Sequence, residues 1–72
     1  MNRQYFAISG YWLDDKTTFE NYIVTNFDDV DPEQEDTVFF YGLSETDIQK
    51  AIAGGEDTTL EFVITSYEEI NL

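Results

Sequence analysis

Alternating apolar and polar positions predict a β-hairpin in the first part of the chain. Residues 4–12 alternate, and residues 19–27 give a second β-rich segment. The polar connection over 13–18 suits a tight turn, because its Asp side chains can hydrogen-bond the backbone that follows. Gly10, within the first strand, indicates a bulge or a close backbone approach.

Two further strands are predicted on either side of a helix. Residues 37–41, TVFFY, form a short apolar run between turn signals, and residues 58–67 alternate again. The segment before the third strand, residues 28–36, contains Pro32, which has no backbone N–H for a sheet ladder. That segment is therefore predicted to be a loop or an exposed edge.

Local capping signals place the helix at roughly residues 45–53. Ser44 is the predicted N-cap, and Asp47 has the capping-box spacing three residues later. Residues 54–55, both Gly, are typical of a helix end. Apolar residues at the i, i+3, i+4 spacing form the stripe that is expected to face the core: Ile48, Ala51 and Ile52.

The element order β-β-β-α-β predicts an α+β fold in one domain spanning 1–72. Its expected form is a small antiparallel β-sheet with one short helix packed on one face. The helix lies in the connection between the third and fourth strands, and this connection allows a crossover with one parallel strand pair.

Strand parity divides the side chains between two sheet faces. It places Phe19 and Tyr22 on different faces of the sheet, and it likewise separates Phe62 from Tyr67. The face that the helix leaves uncovered is predicted to present mainly aromatic residues: Tyr5, Tyr11, Tyr22, Phe39 or Tyr41, and Val63. A patch of this kind is typical of an interface, so this aromatic sheet face is a candidate contact surface.

The sign of the charge changes this picture. The 72 residues include 16 Asp+Glu and 3 Lys+Arg, a formal net charge of −13. Hydrophobic residues at 42% are sufficient for a core, although self-repulsion lowers the stability of the compact state. Acidic residues occur in every connection with few cations between them. Such a single-sign field favours a positively charged partner.

Catalysis is not expected from this composition. The absence of His and Cys excludes imidazole acid–base catalysis, thiol nucleophiles, disulfides and thiolate or imidazole metal sites. Ser44 is explained as a helix cap, while Lys16 and Lys50 lie among acidic residues, which does not suit them as general bases. We therefore predict a protein that is not an enzyme and has no cofactor.

The same composition bears on partners and location. Direct nucleic-acid binding is not expected, because the chain has no basic patch. Neither a signal peptide nor an apolar stretch of roughly 20 residues is found. We expect a cytoplasmic protein without a membrane partner.

Residues 28–36 concentrate six acidic residues in nine positions. In an EF-hand register that starts at Asp29, Gln34 stands in place of the turn-forming Gly and Phe40 in place of the final Glu. No metal site is therefore predicted, and weak divalent-cation binding by the carboxylates stays open. A solvated loop that protects an edge strand is the simplest alternative interpretation.

The spacing of these carboxylates suggests another interpretation. In an extended chain, side chains at i and i+2 lie roughly 6.5–7 Å apart on one side, a repeat comparable in scale with the phosphates of one nucleic-acid strand. In size, charge sign and aromatic content, the chain resembles the small acidic DNA-mimic proteins of phages and plasmids. This resemblance, which rests on no shared motif, implies inhibition of a nuclease, restriction, CRISPR or DNA-repair protein.

We therefore expect a noncatalytic DNA- or RNA-mimic inhibitor that binds the basic nucleic-acid site of a target protein. The alternative is a small accessory subunit or homodimer that binds through the aromatic sheet face. The candidate partner-binding residues are Asp28, Asp29, Asp31, Glu33, Glu35 and Asp36, a second set of Asp14, Asp15, Glu56 and Asp57, and Tyr11 and Tyr22 of the sheet face. Salt should weaken binding by the nucleic-acid mimic steeply, because salt screens exposed charges. Salt should have little effect on binding through the aromatic sheet face.

Overall fold

The computed structural model describes residues 3–29, 33, 38–56 and 60–71. In chain order these residues form strand β1 (Tyr5–Trp12), strand β2 (Thr18–Thr25), helix α1 (Glu45–Gly54) and strand β3 (Phe62–Ile70). The strands form an antiparallel sheet in the order β2-β1-β3. This arrangement confirms the predicted α+β fold with a small antiparallel sheet and one short helix.

Of the predicted third strand, 37–41, the described residues 38–41 form a short segment beside β2. Val24 forms an isolated parallel bridge with Phe40, and the Phe39 N–H donates to the Ile23 carbonyl at 2.8 Å. The parallel contact therefore joins this segment to β2. It does not join the segment to β3, which lies at the opposite edge of the sheet.

The capping signals position α1 as predicted. The Asp47 N–H donates to Ser44 Oγ at 3.2 Å, and the Ser44 N–H donates to Asp47 Oδ2 at 3.2 Å, which completes a capping box. Gly55, with φ of 58°, ends the helix. The helix and the sheet enclose one hydrophobic cluster: Phe6, Ile8, Val24, Leu43, Ile48, Ala51, Phe62 and Ile64.

Gly10 lies in the middle strand where the pairing with both neighbours changes register. The shift toward β2 falls between Ile8 and Gly10, and the shift toward β3 falls between Ser9 and Gly10. A Cβ atom on Gly10 would lie 1.7 Å from the Val63 carbonyl oxygen. Both predicted roles of this glycine, a bulge and a close backbone approach, are confirmed.

The irregularity in β2 places two aromatic residues on the helix-covered face. Tyr22 pairs with Ile8 and Phe19 pairs with Gly10, so β2 has one more residue than β1 over this stretch. Asn21, between them, has a φ of 55°. The predicted separation of Phe19 from Tyr22 is wrong, because the extra residue reverses the parity of the strand. The assignment of Tyr22 to the uncovered face is wrong as well.

A second irregularity has the same effect in β3. Tyr67 pairs with Ile8, and its ring packs against Phe6 with a centroid distance of 6.0 Å. Tyr67 therefore shares the helix-covered face with Phe62, which corrects the parity prediction. Its hydroxyl donates to Glu45 Oε2 at 3.0 Å, which connects β3 to the first turn of α1.

The helix found in the described part of the chain has ten residues, and it is too short and too polar to cross a membrane.

Candidate functional site

The structure separates the predicted partner-binding carboxylates into two groups. Asp28 and Asp29 follow β2, at the end of the sheet where β1 begins. Asp14 and Asp15 lie in the β1–β2 turn at the other end, which also receives Glu56 from beyond the C-terminus of α1. We call these the run end and the hairpin end. A partner that contacts both must extend along the sheet.

Four of the predicted residues lie outside the described part of the chain: Asp31, Glu35, Asp36 and Asp57. Glu33 is described and exposed. The predicted role of these acidic residues in partner binding stays a prediction.

The start of the acidic run is anchored through Phe27. The Phe27 carbonyl accepts a hydrogen bond from the buried Thr25 hydroxyl at 2.9 Å and another from the Gly42 N–H at 3.1 Å. The Phe27 ring is buried and lies nearly perpendicular to the Tyr5 ring, with a centroid distance of 5.6 Å. Because residue 27 is fixed in this way, the exposed residues 28–29 leave the sheet at a defined point.

A cation accompanies the carboxylates of the run end. Arg3 Nη2 lies 2.6 Å from Asp29 Oδ2, and the guanidinium carbon lies 4.3 Å from the centroid of the Phe27 ring. The hydrogen bond from Arg3 lowers the pKa of Asp29 below its usual value of 3.8. Arg3 therefore offsets part of the negative charge at the run end.

The hairpin end is organised by hydrogen bonds of its own turn. The Thr17 N–H donates to Asp15 Oδ1 at 3.0 Å, and the Thr17 hydroxyl donates to the same oxygen. These bonds lower the pKa of Asp15. Lys16 has a φ of 64° and forms an ion pair with Glu56, which raises the pKa of Lys16. The predicted turn, with an Asp that bonds the following backbone, is present.

The two tyrosines that were predicted to bind a partner lie on opposite faces of the sheet. Tyr11 is half-buried and pairs with Val63, which is 4% exposed, on the face away from α1. Tyr22 lies on the other face, packed against the core. Tyr11 and Tyr22 therefore do not form one aromatic surface, and binding by either residue stays a prediction.

An aromatic cluster that parity did not predict lies at the hairpin end of the helix-covered face. Neighbouring rings have centroids 5.2–5.8 Å apart: Trp12, Phe19, Tyr22, Phe40 and Phe62. Sequence reasoning missed this cluster because it needs both the bulge in β2 and the parallel bridge to Phe40. The hydrophobic pattern of the sequence does not predict the positive φ of Asn21, which lies at the bulge in β2.

Two concave surfaces adjoin this cluster. A small pocket of about 170 Å³, the aromatic pocket, is lined by Trp12, Tyr22, Phe40, Leu60, Glu61 and Phe62. A wider depression of about 510 Å³ is lined by Trp12, Leu13, Asp14, Asp15 and Glu61. Because both surfaces include Trp12 and Glu61, the aromatic pocket and the hairpin carboxylates form one continuous surface.

Two large apolar side chains near this cluster face solvent. Phe39 is 60% exposed, and its ring centroid lies 5.2 Å from that of Tyr22. Tyr41 is 41% exposed, and its hydroxyl donates to the Val38 carbonyl at 3.3 Å. The Phe39 ring extends the aromatic cluster beyond β2, and both exposed rings are accessible to another molecule.

The arrangement of carboxylates does not suit a metal ion within the part of the chain that the structure describes. No three of the described acidic residues converge as metal ligands. Their charges act together as a field over the surface.

No protein-family model, no curated protein and no solved structure matches this chain. Its function is therefore inferred from the placement of its own residues.

Proposed function

We propose that this protein is a noncatalytic acidic inhibitor that occupies the basic nucleic-acid-binding site of a target protein as a DNA or RNA mimic. The observation that carries the proposal is the exposure of the acidic residues. All those that the structure describes are exposed except Glu45, which is half-buried. Arg3 and Lys16 are each paired with a carboxylate, so their charges are already offset within the molecule.

The density of negative charge supports this proposal. A net charge of −13 over a longest dimension of 31 Å corresponds to about one charge per 2.4 Å. One strand of DNA carries a charge about every 3.4 Å along the axis, and the duplex about every 1.7 Å. A protein surface that neutralises phosphates with Lys and Arg would meet a comparable field on this molecule.

The target class that this proposal implies is a protein that handles nucleic acid, such as a nuclease, restriction, CRISPR or DNA-repair protein. Such a protein presents the cations that this chain lacks. A mimic of this kind would compete with nucleic acid for the same groove without contacting nucleic acid itself. The cytoplasm is the proposed compartment, because the proposed mimic must meet its nucleic-acid-handling target inside the cell.

Capture of partners at graded salt concentrations tests the proposal. Tagged protein is incubated with cell lysate at low and at high salt, and the retained proteins are identified. We expect basic nucleic-acid-binding proteins at low salt and their steep loss at high salt, because exposed charges are screened within about 8 Å at physiological ionic strength. Retention of partners without a basic nucleic-acid site, unchanged by salt, would contradict the proposal.

A second candidate function is supported by the exposure of Phe39 and Tyr41. These residues favour an accessory subunit or homodimer that associates through apolar contacts. Sedimentation at micromolar concentration distinguishes the two functions. A dimer that persists at high salt and dissociates on Phe39→Ser substitution would favour the second function, whereas a monomer whose partner capture is unchanged by Phe39→Ser would favour the first.

A further inference from the structure

The aromatic pocket differs from the rest of the acidic surface because it can enclose part of a partner. Phe62, only 2% exposed, forms its floor, while Trp12, Tyr22 and Phe40 are half-buried and form its walls. The ring planes of Trp12 and Tyr22 lie at 77° to each other. A group that enters the pocket therefore meets aromatic surface on several sides.

The volume of the pocket restricts what can enter it. At about 170 Å³ it is smaller than the roughly 300–1,000 Å³ of typical small-molecule sites. It is several times larger than the ~30 Å³ that one water molecule occupies in the liquid. This volume suits a single protein side chain better than a cofactor or a drug-sized ligand.

Carboxylates surround the mouth of the pocket. Glu61 is exposed and contributes to both the pocket and the adjoining depression, where Asp14 and Asp15 also lie. Glu61 and Tyr22 line the same pocket, and burial, followed by the charge of Glu61, raises the pKa of Tyr22. An apolar side chain would gain only the aromatic contact, whereas a cation gains attraction from the ring faces and from the carboxylates.

We propose that the aromatic pocket receives an arginine side chain of the basic partner protein. A guanidinium group is planar, stacks on aromatic rings and donates paired hydrogen bonds to a carboxylate. A lysine ammonium group is a compact point charge without this planar geometry. The proposal rests on the proposed function, since it takes the partner to be basic. It adds the residue type that the partner must present at the hairpin end.

Titration of the intact protein with short peptides tests this proposal directly. The chain has one Trp, which lies in the pocket wall, so its fluorescence reports occupancy. The probes are acetyl-Gly-Arg-Gly-amide and the same peptide with neutral citrulline in place of arginine. We expect a saturable change with the arginine peptide and none with the citrulline peptide. An equal response to both peptides, or no saturable change with either, would overturn the proposal.

Two variants with the same loss of charge locate the binding. Glu61→Gln removes the carboxylate of the pocket, and Glu68→Gln removes an exposed carboxylate of β3 that pairs with Ala7 on the other face. We expect Glu61→Gln to weaken arginine-peptide binding at least threefold, which is about the contribution of one solvent-accessible charge pair to affinity. Glu68→Gln should leave the affinity unchanged. Equal weakening by both variants would show nonspecific attraction and would overturn the proposal.

These experiments separate the pocket from the proposed function. If the arginine peptide binds as expected but captured partners have no nucleic-acid site, the pocket proposal stands and the mimic proposal fails. If captured partners are displaced by nucleic acid while the peptide and Glu61→Gln have no effect, the mimic proposal stands and the pocket proposal fails.

Discussion

The two ends of the sheet carry similar carboxylates but differ in what surrounds them. At the run end, Asp29 is paired with Arg3, whose guanidinium also covers the buried ring of Phe27. At the hairpin end, Asp14 and Asp15 border a depression that continues into an aromatic pocket. The run end also borders a depression, of about 620 Å³, but there the carboxylates lie beside Arg3 and the ring of Phe27. The hairpin end instead presents its carboxylates beside a pocket with four aromatic side chains that a partner can bury.

This difference shows why a count of acidic residues does not define a binding site. Exposed charge pairs contribute little affinity on their own and act mainly on the rate of association. Aromatic residues in a partly enclosed pocket are the type of residue that dominates binding free energy. We therefore expect the run end to steer a partner and the hairpin end to hold it.

The largest expected effect comes from Gly10, because the bulges that shape the hairpin end meet there. In Gly10→Ala the new Cβ would collide with the Val63 carbonyl oxygen, which is backbone and cannot move aside. We expect a loss of about 3 kcal/mol or more in the free energy of unfolding, measured by urea denaturation. Gly54→Ala is the matched control, because nothing lies within 4 Å of its Cβ position. Equal stability of the two variants would contradict the role assigned to Gly10.

Removal of charge from each end distinguishes steering from holding. Replacing Asp29, Asp31, Glu33 and Glu35 by Asn or Gln removes four charges from the acidic segment 28–36, which begins at the run end. We expect the rate of association with the captured partner to fall severalfold and to depend less on salt, while the dissociation rate stays unchanged. Stability should hold or rise slightly, since self-repulsion falls.

The hairpin double variant Asp14→Asn/Asp15→Asn is the comparison for this measurement. It removes half as many charges, so association should slow less, but dissociation should become faster because the depression beside the pocket loses its carboxylates. Surface plasmon resonance gives both rates. If the hairpin variant behaves as the parent in both rates, the assigned difference between the ends is wrong.

A smaller effect is expected at high pH. Burial and the charge of Glu61 raise the pKa of Tyr22 above its usual value of 10.0, so the folded state holds this proton more tightly than the unfolded state. The resulting stabilisation is fully present below pH 10.0 and is lost as the pH rises through the folded-state pKa. Tyr22→Phe should therefore lose less stability than the parent as the pH rises above 10.0, measured by thermal melts. Identical pH profiles would show that Tyr22 is not buried in the aromatic cluster.

The smallest effect concerns the ion pair of the run end. The hydrogen bond from Arg3 lowers the pKa of Asp29 below 3.8, so its stabilisation is present above that pH and is lost as the pH falls through the folded-state pKa. In Arg3→Gln the pKa of Asp29 should rise toward 3.8, as followed by carboxyl-carbon NMR, while stability at neutral pH changes little. An unchanged titration of Asp29 would show that Arg3 does not neutralise the run end in solution.

The fold could be predicted from the sequence where the signal is local. The capping box of Ser44 and Asp47, the turn at Asp15 and the break at Gly10 each depend on residues close together in the chain. The sides taken by Phe19, Tyr22 and Tyr67 could not be predicted, because each depends on an extra residue that only the pairing of strands reveals. The aromatic pocket was missed for the same reason.

The candidate carboxylates were predicted as two sets, and the structure places the described members of these sets at opposite ends of the sheet. Their separation follows from the antiparallel pairing of β1 and β2, which sends residues 13–17 and residues 26–29 to opposite ends of the sheet. The pairing of Arg3 with Asp29 spans 26 positions in the sequence, and it needs the sheet to bring the two side chains together.

Competition between this protein and nucleic acid for one captured partner tests the central claim most directly. The complex is formed at low salt, and a labelled nucleic acid that the partner binds is added at increasing concentration. The mimic account predicts that nucleic acid displaces the protein and that the two never occupy the partner together, because both need the same cations. A stable ternary complex of partner, nucleic acid and this protein would contradict it.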